Sequence, residues 1–454
     1  MHMKLIPALI ASIFCAHAAH AATDLVAIGK ISGSYEDFAL ATAGKLENGA
    51  PGNGLGGLGS GIAYAGGNEF VAVPDRGPNA AAYNPSVDDT TSYVTRFHTL
   101  HMSLAPSVTG APLPYTLTPM ITGTTLLSSR TPLVYGTGAG VGLPGGEPAL
   151  NTRNTHYFTG RSDNFDPSRP STDPRNARFD PEGVRVSNDG KSVFISDEYG
   201  PYLYQFDRAT GQRIKAYALP AKLAVSKLSP RGDAEISGNT SGRVANKGME
   251  GLAITPDGKT LVGVMQAPLI QDGGKTIRLV KVDIESGATR EYAYTLTAGS
   301  GVSEILAIND HEFLVDERDG KGLGDGSAAK VKHLYRIDLA NAQDVSGITG
   351  AALAAKAVTK TLFLDLVAAL TGHGISMTDI PAKLEGIAFG PDVMMNGIKR
   401  HTLFVVNDND FNAAVGGVDN PNQIIVFAFD NADLPGYVAQ QFKDDRGGER
   451  GDRD

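Results

Sequence analysis

The sequence predicts an all-β fold, a β-propeller of five four-stranded blades closed by an N-terminal strand. Three observations carry this. First, a hairpin pattern recurs: an apolar strand opening on Ser-Gly, Glu-Gly or Ser-Glu, a turn, and a second apolar strand closing on acidic or amide residues. Second, most copies are followed by a further apolar strand that ends in aspartate. Third, tryptophan is absent while glycine and proline are plentiful, which suits a turn-rich chain. A four-stranded unit recurring every roughly 55 to 80 residues is a propeller signature, because one such sheet cannot bury both faces alone and blades set radially cover one another.

The first 21 residues read as an export signal. Lys4 gives a positive start, 5–18 is a short apolar run, and Ala19-His20-Ala21 is a small-x-small cleavage site. A periplasmic or secreted destination follows. The single cysteine, Cys15, falls inside this segment, so the mature chain is expected to carry no disulfide. No later run is long enough to span a membrane. The net charge of −9 argues against a nucleic-acid partner.

The stretch 24–32 reads as a strand apolar on both faces, with Gly29 as a candidate bulge or the point where the strand leaves the sheet. It is expected to close the ring beside 424–430. Gly54-Leu55-Gly56-Gly57-Leu58-Gly59 matches a dinucleotide-binding pattern literally but lacks the strand and helix that pattern needs, so it reads as a flexible approach to the first channel strand. Ser60-Gly61-Ile62 opens the first hairpin and Asp75-Arg76-Gly77 closes it. The Gly/Pro-rich insertion 128–178 leaves room for a sixth blade. Its Arg153, His156, Arg161, Arg169 and Arg175 suggest either a cap that meets an anion at the channel mouth or a solvated decoration. The clearest hairpin runs from Asp180-Pro181-Glu182-Gly183 through Asn188-Asp189-Gly190 to Ser196-Asp197-Glu198. Further hairpins open at Glu250, Glu304 and Glu385. Third strands follow at 202–207, 278–283, 333–338 and 424–430, and a fourth at 290–296. The stretch 220–247 is a long link, 362–371 a short helix candidate, and 441–454 a charged tail expected to be disordered.

The first strand of each blade lines a propeller's channel, so Ser60, Glu182, Glu250, Glu304 and Glu385 are expected to form a ring. A second tier holds Asp75/Arg76, Asp197/Glu198, Met265/Gln266, Asp316/Glu317 and Asp408/Asn409. Crowded carboxylates repel one another unless something compensates, and calcium, a hard cation that takes oxygen ligands, is the ready compensator. Asp197, Glu304, Asp316, Glu317, Glu385 and Asp408 are the candidate metal ligands, with Glu182, Glu198 and Glu250 the candidate catalytic carboxylates. The competing reading is that the glutamates bond backbone N–H groups of neighbouring blades. Arg76, Arg185, Lys247 and Arg318 lie in the same segments and suit a small anionic substrate such as a phosphoester. No Gly-x-Ser-x-Gly elbow points to a serine hydrolase.

Asp180-Pro181-Glu182-Gly183, Ser196-Asp197-Glu198-Tyr199-Gly200-Pro201, Asn246-Lys247-Gly248-Met249-Glu250-Gly251-Leu252, Ala267-Pro268-Leu269 and Asn407-Asp408-Asn409-Asp410-Phe411 stand in order along the chain. Together they resemble the phytase-like family, described as having the esterase-like activity of phytase, over residues 55–429. The resemblance implies a secreted, propeller-like hydrolase similar to calcium-dependent phytases. Two departures stand out: Gln266 where other blades carry an acid, and Lys247 where the family often has arginine. The expectation is an exported, calcium-dependent phosphoester hydrolase working through metal-activated water. A metal-dependent lactonase or carboxylesterase and a non-catalytic binding propeller are the alternatives.

Overall fold

A computed structural model describes residues 23–80, 90–139, 142–200 and 202–443. The predicted export segment and most of the predicted tail lie outside them. The described chain forms five four-stranded antiparallel blades arranged radially. From the channel outward, blade 1 holds Gly61–Gly66, Glu69–Val73, Arg96–Pro106 and Tyr115–Leu126. Blade 2 holds Pro181–Val186, Ser192–Asp197, Tyr202–Asp207 and Arg213–Ala218. Blade 3 holds Met249–Ile254, Thr260–Met265, Thr276–Asp283 and Thr289–Thr295. Blade 4 holds Gly301–Ala307, Glu312–Arg318, Lys332–Asp338 and Lys360–Asp365. Blade 5 holds Lys383–Met395, Ile398–Asp408 and Asn422–Phe429, and its outer strand is the N-terminal Asp24–Ile31. Each inner strand contacts those of both neighbouring blades, so the ring is closed.

The hydrophobic core is divided among the five blade junctions. Phe70 and Ile62 meet Phe404 and Ile424 between blades 1 and 5. Val71 and Phe97 meet Val184 and Tyr204 between blades 1 and 2. Equivalent clusters centre on Leu203 with Leu252, Val262 with Ile305, and Leu314 with Leu403. This is the radial burial that strands apolar on both faces require.

The closing strand pairs antiparallel with Asn422–Phe429, Ile28 opposite Ile425. The bulge is at Val26 rather than Gly29: the register skips from Leu25 to Ala27. The extra residue lets Leu25 enter the blade 4–5 core while Val26 and Ala27 enter the blade 5–1 core. Gly29 has another reason. A Cβ there would lie 2.9 Å from the Leu117 and Pro119 side chains of blade 1.

The insertion 128–178 is not a sixth blade. Among its described residues the only strands are the two-residue Ser128–Ser129 and His156–Tyr157. It is not a solvated decoration either, since Leu133, Phe158 and Ala177 are buried in the blade 1–2 junction. Three of its arginines are engaged locally: Arg161 with Asp163 at 2.8 Å, Arg175 with Asp173 at 2.7 Å, and Arg169 with Asp173 at 3.4 Å. The segment expected to be helical at 362–371 is split: Lys360–Asp365 completes blade 4 and Leu366–Gly372 is a short helix capped by the Asp365 side chain. Beyond blade 5 the chain straps across the end of the channel opposite the acidic mouth. Val438 N donates to Ile308 O, Gln440 Nε2 to Val186 O and Lys443 N to Asn188 O, each at 2.8 Å. Packing therefore continues to residue 443.

Candidate functional site

The local reason for the site is a bulge repeated in four blades. Where each inner strand begins, the pairing slips between Pro181 and Val184, Met249 and Gly251, Val302 and Glu304, and Leu384 and Gly386. A bulged residue leaves the ladder and is re-aimed. In blades 2, 3 and 5 the residue freed is a glutamate, and Glu182, Glu250 and Glu385 all turn into one cavity of about 780 Å³ at the channel mouth. In blade 4 the residue freed is a serine, and Glu304 takes the place of Gly251 and Gly386. Ser303 faces the cavity, and Glu304 remains in register opposite Asp316.

Every blade contributes to the cavity wall. Asp75 and Arg76 come from blade 1, Glu198 from blade 2, Gln266 from blade 3, Arg318 from blade 4, and Lys383 and Asp408 from blade 5. Glu182, Glu198 and Asp180 each place one carboxylate oxygen within 4.8 Å of the others, and all three are buried. Glu198 Oε1 accepts from Gly248 N at 3.1 Å, and Glu250 Oε1 from Gln266 Nε2 at 2.7 Å. Glu250 Oε2 is buried without a donor among the described residues. Burial, and then the charge of Glu250, hold Glu182 and Glu198 well above the usual carboxylate range. Glu250 itself is pushed up to about 8 by burial and by Glu385. Asp75 is raised by burial and by Asp408.

The structure thus brings together Glu182, Glu198, Glu250, Glu385, Asp408, Arg76, Lys247 and Arg318 from the sequence-predicted set. It places five others apart from the cavity. Arg185 lies along the channel, its guanidinium donating to Ile62 O and Val184 O at 2.6 Å and to Ile305 O at 2.8 Å. Glu304 sits 3.0 Å from Arg185 and accepts from Leu252 N of blade 3 at 2.8 Å, the inter-blade backbone role that competed with metal binding. Glu317 faces away, accepting from Ala298 N at 2.6 Å, Gly299 N at 2.7 Å and the Tyr294 hydroxyl at 2.8 Å, and pairing with Lys360. Burial would raise it, but Lys360 and these donors bring it down to about 2. Asp197 accepts from Asp180 N and Tyr199 N at 3.1 Å and shapes the turn behind Glu198. Asp316 is buried, and neither oxygen has a partner among the described residues.

Sequence reasoning missed Asp180 and Lys383 as site residues, although Asp180 opens the clearest motif. It also misread the glycine run at 54–59. That run is a seat rather than a flexible approach: a Cβ on Gly56 would lie 2.5 Å from the Phe411 ring, and Gly57 N donates to Asn409 Oδ1 at 3.0 Å. Asp410 and Phe411 hold left-handed backbone (φ 53° and 54°) on the cavity rim, as does Asn246 (φ 54°). Such strain in non-glycine residues persists only where surrounding structure fixes it.

The description of one protein family, phytase-like with the esterase-like activity of phytase, matches residues 53–411. The chain belongs to the phytase-like family. Among curated proteins, an uncharacterized secreted protein of Arthroderma benhamiae is 32% identical over 199 residues, covering 36% of this chain and 38% of that protein. Solved structures with a similar course include hydrazine synthase of Kuenenia stuttgartiensis, at 10% identity and TM-score 0.30 over 78% of each chain. Another is the PQQ-bound aldose sugar dehydrogenase of Streptomyces coelicolor, at 12% identity and TM-score 0.30 over 81% of this chain and 79% of that one. Among the described residues no helix is long and apolar enough to cross a membrane.

Proposed function

We propose that this phytase-like protein is an exported hydrolase that cleaves a phosphoester at the acidic channel mouth with a divalent cation, calcium by preference. The observation that carries the reading is the buried, converging carboxylate group of blades 2 and 3. Asp180, Glu182 and Glu198 offer converging oxygens, and Glu250 adds a buried oxygen that no donor reaches among the described residues. An all-oxygen set of this kind fits calcium, and Asp180, Glu182 and Glu198 would hold it. When bound, calcium supplies charge neutralisation and Lewis-acid polarisation of a phosphoryl oxygen.

The protein's own groups divide the remaining work. Glu250 lines the cavity, its Oε2 is buried with no donor among the described residues, and its carboxylate is the group suited to take a proton from the attacking water. Glu198 lies close enough to share that proton, since each of the two carboxyls shifts the other. Lys247 stands exposed on the rim with no ion-pair partner among the described residues, and its ammonium is free to meet an anion. Arg318 is held by Ser303 at 2.5 Å and by Glu385, so it presents a fixed rather than a mobile charge. Arg76 is tied to Asp180 at 3.4 Å and orients that carboxylate.

The test is hydrolysis of phytate, an aryl phosphate and an aryl ester by the purified protein, with calcium and with chelator, beside Glu182→Gln. Phosphate release that needs both calcium and Glu182 is the expected result. Cleavage of the ester alone would replace this reading with a lactonase or carboxylesterase. No turnover on any of the three would sink the hydrolase reading in favour of a binding propeller.

A further inference from the structure

The acidic mouth has two halves, and they are compensated differently. On the side of blades 2 and 3, Asp180 is reached by Arg76, but among the described residues the Glu182 carboxylate has no hydrogen bond or ion pair and Glu250 Oε2 has no donor. On the side of blades 5 and 1, the acids are covered. Lys383 Nζ lies 2.7 Å from Asp408 Oδ2 and also bonds Asp410 Oδ1, while Arg318 takes Glu385. Asp75 approaches the same place: a Cβ on Gly57 would lie 3.4 Å from Asp75 Oδ1 and 3.5 Å from Asp408 Oδ1.

The repeat explains how this asymmetry is built. Lys383 stands two residues before Glu385, as Asp180 stands two residues before Glu182. In register, Lys383 lies directly across from Asp408 on the second strand of blade 5. The corresponding position in blade 2 presents Asp180, whose backbone is tied to Asp197. One repeat position therefore carries a carboxylate on one side of the mouth and an ammonium on the other.

We propose that Lys383 is a built-in counter-cation: its ammonium takes the place that a second divalent ion would occupy among Asp75, Asp408 and Asp410, so the mouth binds a single ion, on the Asp180, Glu182 and Glu198 side. The inference rests on the cation reading above and adds the number and side of the ions. A tethered ammonium bonded to two carboxylates satisfies them by the same charge-assisted contacts an ion would make, and it excludes the ion by position. Blade 5 is thus neutralised by the chain, and only the opposite half depends on the solvent for its cation.

Isothermal titration of the chelator-stripped, full-length protein with calcium tests this. The wild type is expected to bind one calcium per chain, Lys383→Met two, and Lys383→Arg one. Asp408→Asn is expected to keep the single site, because its acid belongs to the half already neutralised. Glu182→Gln is expected to lose that site. Two ions in the wild type, one ion in Lys383→Met, or loss of binding in Asp408→Asn would each overturn the assignment of Lys383. If Lys383→Met does not fold, the wild-type stoichiometry and Asp408→Asn still decide the matter. No calcium binding by the wild type, or unchanged binding by Glu182→Gln, would instead remove the cation reading itself.

Discussion

At the scale of the residue, parity along a strand matters less than where the ladder slips. Glu304 was aligned in sequence with Glu182, Glu250 and Glu385, yet it is not in the cavity, because the bulged position of blade 4 is Ser303 and Glu304 stands where blades 3 and 5 have Gly251 and Gly386. The local sequence carries the difference, since Glu182, Glu250 and Glu385 are each followed by glycine while Glu304 follows serine and precedes isoleucine, so the ring of glutamates was legible and its one departure was overlooked. Asp316 and Glu317 show the same limit, since an acid pair on a second strand sends one carboxylate to each blade junction. Glu317 gives a direct test. Its folded-state value of about 2 lies below the ordinary glutamate value of 4.5. Its contribution, about 3 kcal/mol by linkage, is therefore fully present above pH 4.5 and lost as pH falls through 2. Urea unfolding between pH 6 and 2 should show this loss in the wild type and a shallower loss in Glu317→Gln. Equal slopes would mean the carboxylate is not held by Lys360 and the backbone donors.

At the scale of the element, the hairpins and third strands were readable because their apolar alternation is bounded by turn chemistry. Ser187-Asn188-Asp189-Gly190 closes with Gly190 in the left-handed region (φ 71°), as its sequence asks. Lys383 was invisible to that reading. A lone lysine at the head of a strand has no periodic signal, and its partners Asp408 and Asp410 are supplied by a strand and loop of higher residue number. The closing strand was readable as doubly apolar, but its bulge was not, because both cores that receive Leu25 and Val26 are made by distant residues. Val26→Asp should place an unpaired charge in the blade 5–1 core and cost on the order of 3 to 5 kcal/mol. Lys30→Asp on the exposed side of the same strand should cost little. Thermal unfolding followed by circular dichroism compares the two, and similar midpoints would contradict the assigned register.

At the scale of the whole molecule, the ring concentrates charge at one mouth while the strap 430–443 crosses the other end. The acids of the mouth make the ion-free protein sensitive to alkali rather than to acid. Glu182, Glu198 and Asp75 titrate above the ordinary carboxylate range because of burial, and Glu250 near pH 8. Groups raised in the folded state bind extra protons there. Their stabilising share is complete below the unfolded values and is lost as pH rises through the folded ones. The calcium-free melting temperature should consequently fall between pH 5 and 8, and the gap opened by adding calcium should widen over the same range. A gap that is constant or narrows with pH would show that the added ion does not meet these carboxylates.

The pairing of Asp24–Ile31 with Asn422–Phe429 also sets an order of events in time. The first strand of the described chain has no ladder partner until the last one has been made. Four blades can form from neighbouring segments, but the fifth joins ends separated by almost the whole chain, and long-range closures of this kind are slow. Until closure, the outer edge of Asn422–Phe429 is an unpaired template open to the corresponding strand of another molecule. The same strand that finishes the monomer is thus the part most ready to be exchanged between two chains.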